Sequence, residues 1–187
     1  MVQQADTIAE IIDNIRRIFQ VVHEQAKKAE HEIGLTSPQL WAIKTIADEP
    51  QIMVSEIAKR MYLHPATVVG ILDRLEKHTL VSRTRSLEDR RVVWVGLTDK
   101  GRKLLKKAPE IAQGVLAIGL EQLSQRQLKK IAGSLDAIVD ILGARGKPAQ
   151  LILSPEVNWP LHKRFRNQSA GKQHSKKRKE LRRVIIL

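Results

Sequence analysis

The sequence predicts a mainly α fold carrying one small β-hairpin, an α+β arrangement. Three observations predict it. Apolar residues recur at spacings of three and four through most of the first 143 positions, the period of an amphipathic helix. Two β-prone runs, Leu80 to Thr84 and Val92 to Leu97, flank the polar turn Ser86-Leu87-Glu88-Asp89, the pattern of a hairpin with a loop longer than two residues. Capping residues punctuate the helical stretches on both sides of that hairpin.

In chain order, residues 6–30 read as one long helix, because Ile8, Ile11, Ile12, Ile15, Ile18, Phe19, Val22 and Ala26 hold the period. Asp6 is placed to cap it and Gly34 to stop it. Thr36 or Ser37 caps the next helix, which tolerates Pro38 in its first turn, carries Leu40, Trp41, Ile43, Ile46 and Ala47, and ends near Pro50. A third helix covers 54–61, with Ser55 as its cap and Ile57, Ala58 and Met61 facing inward. Pro65 opens a fourth, whose buried side is Val68, Ile71, Leu72 and Leu75. After the hairpin, Thr98 and Asp99 cap a fifth helix running from about 99 towards 120, which Pro109 kinks or locally breaks. Ser124 and Gln127 form a capping box for a last helix that carries Leu128, Ile131, Leu135, Ile138 and Leu142 and stops at Gly143.

Composition narrows the function. The chain has 187 residues, enough to bury a core without staples, and no cysteine, so it has no disulfide, thiolate metal site or thiol redox switch. No basic segment followed by a long apolar run opens it, and no apolar stretch approaches ~20 residues, so neither a signal peptide nor a membrane span is expected and the cytoplasm is the expected compartment. The net charge of +13 suggests a polyanionic partner, nucleic acid first. Residues 144–187 hold 12 Lys and Arg against two Glu, a net of +10, which leaves +3 for residues 1–143. Most of the excess is therefore in the tail, and its role there stays open between a solvated arm and non-specific DNA affinity. The six histidines make no convergent set, and His23 and His31 lie eight residues apart, so no metal is expected. No cofactor is expected either: there is no phosphate-binding glycine loop and no Ser/His/Asp frame, so catalysis is not expected.

Residues 54–77 have the pattern of a helix-turn-helix, in which the second helix enters the major groove while the first crosses the backbone. His64, Pro65, Ala66, Thr67, Val68 and Gly70 form the start of that second helix and are the expected groove contacts. Thr67 can read a base edge and touch a thymine methyl, or can be a solvated helix residue. Arg74 is placed for a phosphate. The hairpin adds Arg83, Arg85, Arg90 and Arg91, four arginines in nine positions, as a minor-groove or backbone probe. Asp89 makes sense beside them as a brace pairing with Arg91, a role that is compatible with Arg91 also meeting DNA.

The run HPATVVGILDRLEKHTLV, followed by EDRRVVWVGLTDKG with its Asp89-x-Arg91 and Leu97-Thr98-x-x-Gly101, resembles the recognition helix and wing of the MarR family of winged helix-turn-helix regulators. The resemblance covers roughly residues 6–143. It implies a homodimer built from N- and C-terminal helices, a repressor role, and release from DNA by a small, often aromatic, ligand bound between the dimer helices and the winged lobe. Two departures stand out. His78-Thr79 occupies the place where the family commonly has a glycine, and the basic tail is not a family feature.

The expected organisation is thus an N-terminal dimerisation helix (1–34), a winged helix-turn-helix DNA-binding lobe (35–98), C-terminal dimerisation helices (99–143) and a basic, disordered tail (144–187). The first and last helices are apolar over wider faces than a small lobe can cover, which independently favours a dimer. Two-fold symmetry then sets two recognition helices ~34 Å apart on a palindromic site in double-stranded DNA. Phe19, His23, Trp41 and Pro109 are the candidate ligand-pocket residues, with core packing as the other reading of Trp41. The leading expectation is a sequence-specific transcriptional regulator; the alternative is a non-specific or architectural nucleic-acid-binding protein.

Overall fold

The computed structural model describes residues 2–89 and 92–151. The chain runs α1 (Val2–Ile33), α2 (Ser37–Ala47), β1 (Ile52–Met53), α3 (Val54–Arg60), α4 (Pro65–Lys77), β2 (Val81–Arg85), β3 (Val93–Leu97), α5 (Asp99–Leu105), α6 (Ala112–Glu121) and α7 (Gln125–Ile141). The fold is mainly helical with a small antiparallel sheet of order β1-β3-β2. Val81 pairs with Leu97 and Arg85 with Val93, so the hairpin runs in register to its loop.

The hairpin was legible from its β-prone runs, but the third strand was not. Ile52 and Met53 pair with Val95 and Trp94, and two residues are too few to show alternation. Ile52 nonetheless sits fully inside, and β1 anchors the sheet to the helices.

The main core lies between α2, α3, α4 and the sheet. Ile43 and Ile46, Ile57, then Ile71, Leu72 and Leu75 are all 0% exposed, and Val95 closes the cluster from β3. Each helix therefore buries the stripe its periodicity marks. A second, smaller cluster of Ala29, Leu40 and Ile111 ties α1 and α2 to the segment entering α6. It is the fixed point that sets α6 beside the lobe.

Several helix boundaries follow the chemistry of caps. Gly34 takes φ +66 and Gly143 φ +61, the left-handed conformation that ends α1 and α7. Ser124 and Gln127 form their reciprocal box: Gln127 Oε1 accepts from the Ser124 N–H at 3.0 Å and Ser124 Oγ from the Gln127 N–H at 3.4 Å. Thr36 is the cap of α2, with its N–H donating to Gln39 Oε1 at 3.0 Å.

Other boundaries differ from expectation. Asp6 is not a cap, because α1 already starts at Val2 and Asp6 falls in its interior. Ser55 lies within α3, whose N-cap is Met53 in an extended conformation imposed by the β1 pairing just before it. The predicted single helix from 99 towards 120 is two helices. α5 ends at Leu105, and Lys107 and Ala108 fall back to tighter bonds with the carbonyls of Leu104 and Leu105. Pro109 has no N–H to continue the ladder, and the residue before a proline is pushed out of the helical region. The chain therefore breaks rather than kinks.

The exit of α4 is the most constrained junction. Leu80 N–H bonds to the Leu75 carbonyl (2.9 Å) and Thr79 N–H to the Glu76 carbonyl (2.8 Å), a Schellman motif. Thr79 therefore takes φ +56, a glycine-like conformation adopted here by a β-branched residue. It is held from outside. The Thr98 hydroxyl donates to the Thr79 carbonyl at 2.7 Å, and Lys100 Nζ donates to the His78 carbonyl at 2.9 Å. The same Thr98 hydroxyl caps α5 by accepting from the Gly101 N–H at 3.1 Å. Gly101 is required there because a Cβ would stand 2.2 Å from the Leu80 carbonyl oxygen.

Residues 144–151 leave α7 through a turn in which Arg145 pairs with Asp140, and Leu151 packs against the main core. The rest of the predicted basic tail, 152–187, lies outside the described residues, as do Arg90 and Arg91 of the hairpin loop.

Gly101→Ala is expected to destabilise the fold by about 2 kcal/mol, lowering the melting temperature by about 4–8 °C in a thermal scan. Thr79→Gly is expected to act oppositely, with relief of the left-handed strain outweighing glycine's added chain entropy by about 0.5 kcal/mol. A melting temperature unchanged by both substitutions would show that this junction does not limit stability.

Candidate nucleic-acid interface

α4 is built so that one side feeds the core and the other is bare. His64 caps it, its Nδ1 accepting from the Ala66 N–H at 3.2 Å. Pro65 follows at the first helical position, where its missing N–H costs nothing. Pro65 and Ala66 are exposed and Thr67 is half-buried. A Cβ added at Gly70 would meet no heavy atom within 4 Å, so this stretch of helix is open to close approach.

One predicted contact fails. Val68 is 0% exposed and packs with Ile71, Leu72 and Leu75, so it cannot reach a groove. Its neighbour Val69, 40% exposed, takes the outward position instead. The signal was available: Val69 is three residues from Ala66 and four from Asp73, the spacing of the outer face. The bare face thus reads Ala66, Val69, Gly70, Asp73, small and largely uncharged at its N-terminal end.

The hairpin arginines are not equivalent. Arg83 turns back onto α4, reaching Asp73 Oδ1 at 2.7 Å and the carboxylate of Glu76, with only 24% of its side chain exposed. The bond to Glu76, and then that to Asp73, raise its pKa above the ordinary arginine value. Arg83 therefore clamps β2 to α4 and offsets one of the two negative charges that Asp73 and Glu76 place on the helix. Arg74 Nη1 donates to the Gly70 carbonyl at 3.2 Å, so its guanidinium lies along the helix towards the bare face. Arg85, at the end of β2, is exposed and makes no ion pair among the described residues.

The loop beyond it is organised by a residue that sequence reasoning treated only as turn filler. Ser86 Oγ accepts from the N–H groups of Glu88 (3.2 Å) and Asp89 (3.3 Å), while the Ser86 N–H bonds to the Val92 carbonyl at 3.0 Å. Because Arg91 lies outside the described residues, its pairing with Asp89 is not described either.

Behind α4 is a cavity of about 470 Å³. Trp41 lines it from α2, Tyr62 and Leu63 from the turn between α3 and α4, Leu116 and Glu121 from α6, and Leu128 from α7. Of the four candidate pocket residues, only Trp41 lines it. Phe19 is 64% exposed on α1, His23 is exposed on the same helix, and Pro109 sits in the break before α6. Tyr62 and Glu121 were missed because they are 59 residues apart, yet the Tyr62 hydroxyl donates to Glu121 Oε1 at 2.6 Å. That bond raises the phenol's pKa and keeps it protonated. Tyr62 itself sits at φ +52 in the turn that ends α3.

Among the described residues no three His, Asp or Glu side chains converge in a way that could hold a metal ion. No helix there is long and apolar enough to cross a membrane.

Comparison with known proteins agrees with this geometry. Residues 35–93 match the MarR family. The chain is 30% identical over 119 residues to the organic hydroperoxide resistance transcriptional regulator of Bacillus subtilis, covering 64% of this chain and 80% of that protein. It is 29% identical to the transcriptional repressor MdtR of the same organism, covering 64% of this chain and 77% of the relative. Among solved structures, a MarR family protein from Bacillus stearothermophilus aligns with 27% identity and a TM-score of 0.45 over 74% of this chain and 97% of the other. The chain belongs to the MarR family of winged helix-turn-helix proteins, and it is a DNA-binding transcriptional regulator rather than an enzyme.

Proposed function

We propose that the protein works in the cytoplasm as a homodimeric repressor of transcription. Two copies present α4 and the hairpin to a palindromic operator, and a small ligand entering the cavity behind α4 releases them. The single observation that carries this reading is the position of Tyr62. It belongs to the turn that aims α4, it lines the cavity, and it is bonded to Glu121 of α6. A molecule filling that space bears on the recognition helix and on the distal helices at once.

The distal helices supply the argument for two copies. α6 and α7 bury none of their residues. Ile12 and Phe19 on α1, Leu116 and Ile118 on α6, and Leu135 on α7 with Leu142 at its C-cap are all exposed, between 42% and 71%. An apolar seam of that length on a monomer favours association, and a symmetric partner covers it with the same residues. The relative MdtR is named as a repressor, which supports the same direction of control.

The tail's net charge of +10 favours a second reading, a protein that coats DNA without choosing sequence. Selection of bound duplexes from a random pool separates the two. A conserved palindrome among the selected sequences is the expected result, and equal affinity for selected and random duplex at physiological salt would establish the second reading instead.

Three substitutions test the docking. Arg85→Ala and Arg74→Ala are each expected to weaken operator binding and to reduce the salt slope by about one unit, as loss of one phosphate contact does. Arg83→Ala is expected to leave the salt slope unchanged and to cost about 1 kcal/mol of stability by unclamping the hairpin. If Arg83→Ala alone flattened the slope, the assignment of roles within the hairpin would be reversed.

Leu135→Glu, on the exposed face of α7, is expected to shift the protein towards monomer in sedimentation and to weaken operator binding in parallel. A dimer that survives the charge would place the seam elsewhere.

A further inference from the structure

The lining of the cavity behind α4 sets the charge of what it can hold. At about 470 Å³ it is large enough for a drug-sized molecule. Its walls are apolar apart from Gln113, the Tyr62 hydroxyl and Glu121, and Glu121 is its one charged lining residue. The Glu121 carboxylate accepts from Tyr62 through Oε1 and has no Lys, Arg or His within 4 Å among the described residues. Its second oxygen has no hydrogen-bond partner among the described residues.

An adjoining chamber of about 450 Å³ shares Trp41, Ala117 and Glu121 with this cavity and does contain cations, Lys44 and Arg60. Both are committed. Lys44 pairs with Glu110 at 2.9 Å, and Arg60 with Glu49 and Glu56. A carboxylate ligand entering either chamber would lose water and find no spare cation to replace it. A cationic ligand would find an unpaired carboxylate, with the rings of Trp41 and Tyr62 lining the same space to attract its charge.

We propose that the cavity takes a lipophilic cation: an organic ammonium on an apolar or aromatic body, its charge received by Glu121 beside Trp41 and Tyr62. This rests on the reading of the cavity as the effector site, and it specifies a ligand class opposite in charge to aromatic acids.

The test uses the whole chain and three probes that share one ring system: (2-naphthylmethyl)trimethylammonium, neutral 2-naphthylmethanol and anionic 2-naphthoate. Binding is measured by calorimetry. The ammonium is expected to bind about tenfold or more tighter than 2-naphthoate. Glu121→Gln, at an exposed position, is expected to bring the ammonium within about threefold of the alcohol while leaving the alcohol's affinity unchanged. Tyr62→Phe keeps the ring and the carboxylate, and is expected to retain the preference for the cation. Equal or tighter binding of 2-naphthoate, a preference that survives Glu121→Gln, or no binding by any of the three overturns the proposal.

The same probes are then added to the protein bound to its selected operator. Binding of the ammonium without loss of DNA would refute ligand release and leave the ligand class standing. Release by 2-naphthoate alone would do the reverse.

Discussion

The carbonyl of Leu80 is the point through which the DNA-binding half of this protein is assembled. The Leu80 N–H closes the exit of α4 on the Leu75 carbonyl, while the Leu80 carbonyl, at the start of β2, accepts the Thr98 N–H at 3.1 Å from the far end of β3 and lies against the bare Cα of Gly101 in the first turn of α5. Four elements meet at one residue. That is the physical content of the Leu97-Thr98-x-x-Gly101 sequence: the threonine hydroxyl caps one helix while bonding to the exit of another, and the glycine admits the contact. The helix α4 and the hairpin are thereby fixed to each other.

Charge is arranged around that frame with different purposes at different arginines. α4 carries Asp73 and Glu76 towards its C-terminal end, a poor surface for a polyanion. Arg83 from β2 closes over them and offsets part of their charge, while bracing strand against helix. The N-terminal end of α4 needs no such correction, because Ala66, Val69 and Gly70 present little but backbone and methyl groups. Close approach there is a matter of shape, and a helix N-terminus suits the phosphates on either side of a groove. Small uncharged residues and ion-paired ones are thus separated along a single helix.

The same separation holds at the level of the whole chain. The lobe is closed by its own core, whereas α6 and α7 have no buried residue and an exposed apolar stripe. Between the two lies the cavity, walled on one side by the turn that aims α4 and on the other by the helices that present the seam. The Tyr62–Glu121 bond crosses it. Under the proposed function, a molecule held there would act on the angle between the lobe and the distal helices without touching DNA.

Local chemistry alone determined much of this. The helical period marked the buried stripe of α4 residue by residue, the Ser124–Gln127 box and the glycines at 34 and 143 marked helix ends, and the hairpin with its arginines was legible from β-prone runs around a polar turn. These signals depend on neighbours within one or two turns. What needed the tertiary structure involves partners distant in sequence. β1 exists only because Val95 and Trp94 are there to pair with it. Arg83 looked like a probe for DNA until two carboxylates from α4, seven and ten residues away, were found to hold it. Val68 was read both as part of the buried stripe and as a groove contact, and the packing of the core keeps only the first. Tyr62 and Glu121, with nothing in their local sequence to connect them, meet across a cavity because the Pro109 break and the packing of Ile111 turn α6 back onto the lobe. Periodicity reports which face a residue occupies; it carries no information about what that face will meet.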